Sequence, residues 1–192
     1  NPDDKILEII SLISVILIVA FIGFTDDILG WKKGLNKFVR IFFLIFASLP
    51  LVVISAGGLT FGGINLGLVY PFLLIPLGIV GATATFNFLA GYNGLESSQG
   101  ILILFALSLV TFFTGATWLS MLGLIMVACL FAFYIFNKYP AKVFPGDVMT
   151  YAVGALIAGM AILGDIEKIA VFFFIPYILE TILKLRGGLE KQ

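Results

Sequence analysis

The sequence predicts an all-α, polytopic membrane protein, and three observations indicate this fold class. Of the 192 residues, 61% are hydrophobic and only 11% are charged, whereas a soluble domain usually carries about 25% charged residues. Apolar runs long enough to cross a bilayer as a helix recur along the chain. The alternation of apolar and polar residues that a membrane barrel needs is absent from the sequence. We therefore expect one transmembrane domain over 1–192, a helical bundle surrounded by lipid.

Seven apolar runs are predicted to span the membrane. The fourth and fifth runs nearly adjoin, which predicts a tight helical hairpin at Gly115. Pro71, Pro76 and Pro176 lie within runs, and we expect them to start or kink helices. The predicted spans are 6–24, 38–56, 69–87, 101–115, 117–136, 149–164 and 168–184.

Seven crossings would place the loops alternately on the two sides of the membrane. One side then receives 25–37, 88–100, 137–148 and the tail from 185. Nine of the eleven Lys and Arg residues fall on that side, and Lys5 and Lys168 fall opposite. The positive-inside rule predicts that this side is cytoplasmic. We therefore expect an integral membrane protein whose polar loops face the cytoplasm. If the source is prokaryotic, the membrane is the cell membrane. The nine are Lys32, Lys33, Lys37, Arg40, Lys138, Lys142, Lys184, Arg186 and Lys191.

The composition argues against several classes of function. With no histidine, the commonest general base is missing and a zinc site is not expected. The single cysteine, Cys129, lies in an apolar run and cannot form a disulfide framework. The net charge is zero and no basic tract occurs, so no nucleic-acid partner is indicated. A homodimer is compatible with the sequence.

Two adjacent carboxylates, Asp26 and Asp27, follow the first apolar run in "FIGFTDDILG". One interpretation is a pair of inert acids at the membrane edge. The other is a cation site, because neighbouring carboxylates repel unless a cation lies between them, and the anionic inner leaflet does not favour acids.

The second polar loop, "NFLAGYNGLESSQG", begins with Asn87 and continues with Gly91, Asn93, Gly94 and Glu96. Turn formation after a helix explains the two glycines. It does not explain two asparagines so close to a glutamate. An asparagine offers a carbonyl to a hard cation and an amide edge to a base.

The third polar loop contains "VFPGDV", with Phe144 and Asp147. N-capping of the following helix is a competing explanation for Asp147, as is an interfacial aromatic for Phe144. Taken together, the three loops supply oxygen ligands without nitrogen or thiolate, a set that suits Mg²⁺ or Mn²⁺. Phosphoryl transfer between a lipid phosphate and a soluble nucleotide is a reaction that such a site could support without histidine.

Three motifs carry a resemblance to a known family: "GFTDDILGWKKGLNK", "FNFLAGYNGLESSQG", and "YPAKVFPGD" followed by "AILG". Together they resemble the polyprenyl-phosphate N-acetylhexosamine-1-phosphate transferases. The loop "NGLES" is most similar to the dolichyl-phosphate branch, where the bacterial cell-wall branch has a DGLDG-like loop. The resemblance runs from about residue 15 to 185. It also implies further N-terminal spans and a C-terminal loop and span outside this sequence, on which the choice of sugar would depend.

The resemblance implies a role for each motif near the metal. Asn87 and Asp147 would bind Mg²⁺ together with the diphosphate of the sugar nucleotide. Asp26 and Asp27 would lie beside that metal, as a base or as organisers of lysine and metal. Lys37 would contact phosphate.

The same resemblance implies the substrate contacts and the reaction. Asn93, Glu96 and the backbone around Gly91 and Gly94 would bind the uracil nucleotide, with Phe144 stacking on the base. A phosphate oxygen of a polyprenyl (dolichyl) phosphate would attack the β-phosphorus of UDP-N-acetylglucosamine, releasing UMP. This is the first step in assembling an N-glycan precursor.

Three other functions remain open at the level of sequence. One is a bacterial-type transferase that uses undecaprenyl phosphate. A second is a secondary transporter, although transporters place ionisable groups near the bilayer midplane and the acids here fall at span ends. The third is a structural subunit, which would need no metal.

Overall fold

The computed structural model of the chain describes residues 5–30, 34–55, 60–61, 64–88 and 91–186. Helices dominate these residues, so the all-α prediction is confirmed. A two-residue antiparallel ladder joins β1 (Thr60–Phe61) to β2 (Ile64–Asn65), and a π-helical turn, Tyr70–Leu74, leads into the fourth helix. The helices are α1 (Ile6–Gly30), α2 (Lys37–Ala47), α3 (Leu49–Ile54), α4 (Ile75–Phe88), α5 (Leu95–Phe113), α6 (Thr117–Asn137), α7 (Asp147–Leu163), α8 (Glu167–Phe173) and α9 (Ile175–Arg186).

Five helical stretches of the described chain are long and apolar enough to cross a membrane. The sixth predicted span is the shorter helix α7, and the seventh is two helices, so the count of seven crossings stays a prediction. The hairpin at Gly115 is confirmed, since Gly115 takes a φ of +89° between α5 and α6. The five stretches are Ile6–Gly30, Lys37–Ile54, Tyr70–Phe88, Leu95–Phe113 and Thr117–Asn137.

Prolines mark the starts of helical segments, as the sequence predicts. Pro71 is the second residue of the π-helical turn, where a missing N–H costs nothing. Pro76 is the second residue of α4, at the point where the π-helical turn passes into the α-helix. Pro176 is the second residue of α9, and the last predicted span is broken at Phe174 just before it. A similar break separates α2 from α3 at Ser48, two residues before Pro50.

Helix α7 lies at the centre of the bundle. Its residues from Val153 to Ala161 are all buried, and it packs against α1, α4, α5 and α8. Small residues permit this packing: a Cβ at Gly154 would lie 2.7 Å from the Cα of Thr83, and one at Gly159 would meet Leu12. Close backbone approach through small residues is how helices associate in lipid, where no hydrophobic effect draws them together.

The three polar loops meet at one end of this bundle. α1, α4 and α6 end there, and α2, α5 and α7 begin there. Hydrogen bonds join these loops to one another. Asp27 accepts one from the backbone N–H of Asp147, which in turn accepts one from Asn87. Ser97 donates another to Asn137. The predicted grouping of these loops on one face is thus confirmed, while their cytoplasmic orientation stays a prediction.

Candidate active site

Asp26 lies in the last turns of α1 and is 4% exposed. Its Oδ1 accepts a hydrogen bond from the backbone N–H of Leu35 at 2.6 Å, and its Oδ2 pairs with the guanidinium of Arg40 on α2. Both carboxylate oxygens are therefore engaged. These two bonds attach Leu35, just before α2, and Arg40, within α2, to α1.

Arg40 brings a positive charge into the site from the second turn of α2. Its guanidinium carbon lies 6.0 Å from the centroid of the Tyr151 ring on α7, a distance at which cation–π attraction operates. Its Nε is buried and has no hydrogen-bond partner in the described part of the chain. An unpaired buried donor of this kind costs free energy.

Asp27 caps the start of α7 from a different helix. Its two oxygens accept hydrogen bonds from the backbone N–H groups of Asp147, at 3.0 Å, and Val148, at 3.3 Å. Gly146 and Gly23 make room for this contact, since a Cβ at Gly146 would meet the Asp27 carboxylate and one at Gly23 would lie 2.6 Å from the Asp147 carbonyl carbon. The N-capping that the sequence suggested for Asp147 is thus performed by Asp27.

Asn87 and Asp147, which are 60 residues apart, meet directly. The Asn87 Nδ2 donates to the Asp147 Oδ1 at 2.9 Å. Asp147 is half-buried at the start of α7, before the apolar run 149–164 begins. Burial raises the pKa of Asp147 to about 7, and the neighbouring Asp26 carboxylate acts in the same direction. A divalent cation bound here would reverse this effect by favouring the charged carboxylate.

These side chains have the chemistry that a hard cation requires. The Asp147 carboxylate and the carbonyl oxygen of Asn87 are oxygen ligands of the kind that Mg²⁺ prefers. No group of three or more His, Cys, Asp or Glu side chains within the described residues is arranged to hold a metal ion. A cation between Asn87 and Asp147 would therefore need oxygens from water or substrate, as Mg²⁺ sites that share substrate phosphates do.

The loop between α4 and α5 is shaped by two glycines and a buried carboxylate. Gly91 and Gly94 take φ values of +125° and +77°, a region that favours glycine. Glu96 is 1% exposed, and its Oε1 accepts a hydrogen bond from the Gly91 N–H. Glu96 therefore lies beneath the loop and fixes its backbone, whereas Asn93 is exposed on it.

Lys37 and Phe144 are both exposed. Lys37 is the first residue of α2, three residues before Arg40. Phe144 is 54% exposed on the segment between α6 and α7. Their predicted contacts with phosphate and with the uracil ring stay predictions, as do the catalytic, binding and metal roles of the other site residues.

Comparison with known proteins gives the family. Residues 9–165 match glycosyl transferase family 4. The chain belongs to this family. The resemblance that the three motifs predicted is thereby confirmed, and the matched region includes every predicted site residue.

Individual relatives of this glycosyl transferase family 4 chain carry more specific names. A relative from Saccharolobus solfataricus, provisionally named UDP-N-acetylglucosamine–dolichyl-phosphate N-acetylglucosaminephosphotransferase, is 42% identical over 183 residues, covering 91% of this chain and 55% of the relative. A Sulfolobus acidocaldarius relative of the same name is 33% identical over 185 residues, covering 93% and 55%. A phospho-N-acetylmuramoyl-pentapeptide-transferase from Streptococcus thermophilus is 31% identical over 181 residues, covering 89% and 53%. The chain thus spans about half the length of these relatives.

Arg40 is a candidate site residue that the sequence pattern does not identify. The sequence places Arg40 among the basic residues that set membrane orientation, and the family resemblance assigns the phosphate contact to Lys37. In the structure, Arg40 rather than Lys37 pairs with Asp26. The spacing of one helical turn between the two basic residues is the signal that could have identified Arg40 as an alternative.

The capping role of Asp27 leads to a stability prediction. Asp27→Ala removes both acceptors from the first turn of α7, so we expect the free energy of unfolding to fall by about 1 kcal/mol. Asp27→Asn retains one oxygen acceptor, and we expect it to recover most of that loss. Thermal unfolding of the two variants in detergent, without nucleotide, measures the difference. Equal melting temperatures for the two variants would contradict a capping role.

Proposed function

We propose that the chain is the catalytic membrane core of a transferase for N-acetylglucosamine-1-phosphate. The donor is UDP-N-acetylglucosamine, the acceptor is a polyprenyl phosphate of the dolichyl type, and the products are a lipid diphosphate sugar and UMP. The observation that carries the proposal is the Asn87–Asp147 pair beside Asp26 and Arg40 at one end of a membrane bundle. The names of the two archaeal relatives support this choice of donor and acceptor.

In the proposed reaction, a phosphate oxygen of the lipid attacks the β-phosphorus of the nucleotide sugar. The bond from that phosphorus to the bridging oxygen breaks, and the electron pair leaves with UMP. Such a transfer depends mainly on positioning and on neutralising charge. Fixed side chains would position the two substrates. The metal and the basic side chains would neutralise the charge.

Asn87 and Asp147 would hold Mg²⁺, with Mn²⁺ as a substitute. When bound, the metal supplies positive charge to the diphosphate and lowers the repulsion between the two phosphate groups. The Asn87 amide, which donates to Asp147 Oδ1, orients that carboxylate. Asp27 fixes the backbone on which Asp147 stands.

Arg40 and Lys37 would supply the protein's own positive charge. Asp26 holds the Arg40 guanidinium in place, and the Arg40 side chain as a whole stays 27% exposed, so its outer face would meet a phosphate oxygen. Lys37, one turn earlier on α2, would contact the same phosphate groups from the exposed side. On this proposal Asp26 acts through Arg40, and Asp27 acts through Asp147.

The nucleotide would lie against the two loops next to the metal. Asn93 would pair with the uracil edge, the backbone of Gly91 and Gly94 would approach the nucleotide closely, and Phe144 would stack on the base. Glu96 would contribute by holding the Gly91 backbone. An exposed aromatic ring beside a polar loop is suited to stacking on a base.

An apolar cavity supports a lipid acceptor. It has a volume of about 490 Å³ and lies between α4, α7 and the broken pair α8 and α9. Its wall on α4 runs from Ile75 through Gly81 to Thr85, two residues before Asn87. A polyprenyl chain in this cavity would bring its phosphate toward the Asn87–Asp147 pair.

The test is an assay of the full-length product of the gene, in detergent, with radiolabelled UDP-N-acetylglucosamine. We expect label to enter the lipid phase with dolichyl phosphate as acceptor, equimolar UMP to form, and EDTA to stop the reaction. Undecaprenyl phosphate as acceptor distinguishes the bacterial type of activity. Absence of lipid-linked label with both acceptors would overturn the proposal, and transfer that persists in EDTA would overturn its metal.

A further inference from the structure

A buried amide at the end of α6 joins two of the polar loops. Asn137 is the last residue of α6 and is fully buried. Its Oδ1 accepts a hydrogen bond from the Ser97 hydroxyl on α5 at 2.7 Å. Its Nδ2 donates to the backbone carbonyl of Val143 at 2.9 Å. Both functional atoms of the amide are therefore paired, each with a different segment.

The first of these segments is the loop that carries Gly91 and Asn93. Ser97 lies in the first turn of α5, next to Glu96, which binds the Gly91 N–H. The loop also touches the end of α6, since a Cβ at Gly94 would lie 3.0 Å from the Tyr134 ring. Asn137 thus anchors the first turn of α5, and with it the loop, on α6.

The second segment is the stretch between α6 and α7. Val143, whose carbonyl accepts from Asn137, is the residue immediately before Phe144 and lies four residues before Asp147. A single side chain therefore sets the distance between the segment with Asn93 and the segment with Phe144. Buried, fully satisfied polar networks of this kind specify one arrangement of the chain.

We propose that Asn137 is a positioning residue for the donor nucleotide: it fixes the spacing between the Asn93 loop and Phe144. This inference rests on the proposed function. Asn137 contacts no substrate itself and acts through Ser97 and Val143. Because Asn137 joins the two segments that would contact the nucleotide, and neither segment lines the apolar cavity, its loss affects the nucleotide more than the lipid.

The kinetic test compares the Michaelis constants for the two substrates in the gene-encoded protein. We expect Asn137→Ala to raise KM for UDP-N-acetylglucosamine on the order of 10-fold, from the loss of two buried hydrogen bonds, with KM for dolichyl phosphate within about twofold of wild type. Ser97→Ala should shift the same constant in the same direction by less. Ser108→Ala is the matched control: Ser108 is also buried on α5, but its hydroxyl has no hydrogen-bond partner within the described residues.

A second measurement detects the Ser97–Asn137–Val143 hydrogen bonds without any substrate. Hydrogen exchange of the backbone amides in 138–146 should accelerate in Ser97→Ala and not in Ser108→Ala, although Ser97 is remote in sequence. Asn137→Asp, which keeps the size and the acceptor for Ser97 but loses the donor to Val143, should also accelerate exchange in 138–146.

The outcomes separate this inference from the proposed function. If wild type transfers sugar phosphate but Asn137→Ala raises both KM values equally, or lowers kcat alone, the positioning role is overturned and the function stands. Unchanged exchange in Ser97→Ala overturns the role as well. If wild type transfers no sugar phosphate, the proposed function fails and the role toward the nucleotide fails with it.

Discussion

Asp147→Ala should abolish transfer of the sugar phosphate, lowering kcat by at least about 10³-fold. Asp147 bonds to Asn87, and its backbone N–H is held by Asp27, so its removal leaves the proposed metal with Asn87 alone. Asp147→Asn keeps the shape and the helix start but removes the negative charge, and we expect a comparable loss. Initial rates over a titration of Mg²⁺ measure the effect.

A matched control for this prediction lies near the opposite end of α7. Asp165 follows the helix with a φ of +51°, a conformation that asparagine tolerates. Asp165→Asn removes a carboxylate far from the loops and should leave both the rate and the Mg²⁺ dependence at wild-type values. A normal Mg²⁺ titration in Asp147→Ala would remove Asp147 from the metal site.

Arg40→Ala is expected to reduce stability and turnover together. Asp26 is 4% exposed and would keep its bond from Leu35 but lose its counter-ion. Breaking a buried ion pair from one side typically costs about 3–5 kcal/mol. Arg40→Lys keeps a positive charge near Asp26 but loses the planar guanidinium over Tyr151, so we expect intermediate stability and turnover. Thermal unfolding and initial rates measured on the same preparations give both effects.

A double variant separates the structural from the chemical contribution of Arg40. Asp26→Asn combined with Arg40→Gln removes both charges, so no unpaired ion remains and most of the lost stability should return. Turnover should stay near the level of Arg40→Ala, because no guanidinium is present to meet the phosphate groups. Recovery of turnover along with stability would show that Arg40 serves only the fold.

Much of the architecture could be predicted because it depends on local properties of the chain. The length of each apolar run determines whether it can cross a bilayer, and Gly115 between two such runs is enough to predict the hairpin. Alternation of crossings then places Asp27, Asn87 and Asp147 on one face before any contact is known. One helix break is not predicted: the run 38–56 reads as a single span, but the structure divides it at Ser48. The break at Phe174, in contrast, lies just before Pro176, where the sequence predicts a start or a kink.

The pairings within the site could not be predicted because they depend on tertiary contacts. Arg40, and not Lys37, reaches Asp26 because of the face that α2 turns toward α1. The local sequence pattern does not specify how α2 is rotated about its axis. The bond from Asp27 to the Asp147 N–H joins residues 120 positions apart. Asn137 has no distinguishing mark in the sequence, since an asparagine at a helix end is ordinary.

The cap that α7 receives from Asp27 also affects how the protein matures in the membrane. Most helices carry the cap for their first turn in their own sequence, but α7 takes it from a helix synthesised more than 100 residues earlier. The first turn of α7, which carries Asp147, therefore receives its cap only after α1 and α7 have docked. A nascent chain that lacks α7 cannot bring Asp27, Asn87 and Asp147 together, so the proposed metal and nucleotide site would form late, as a product of assembly.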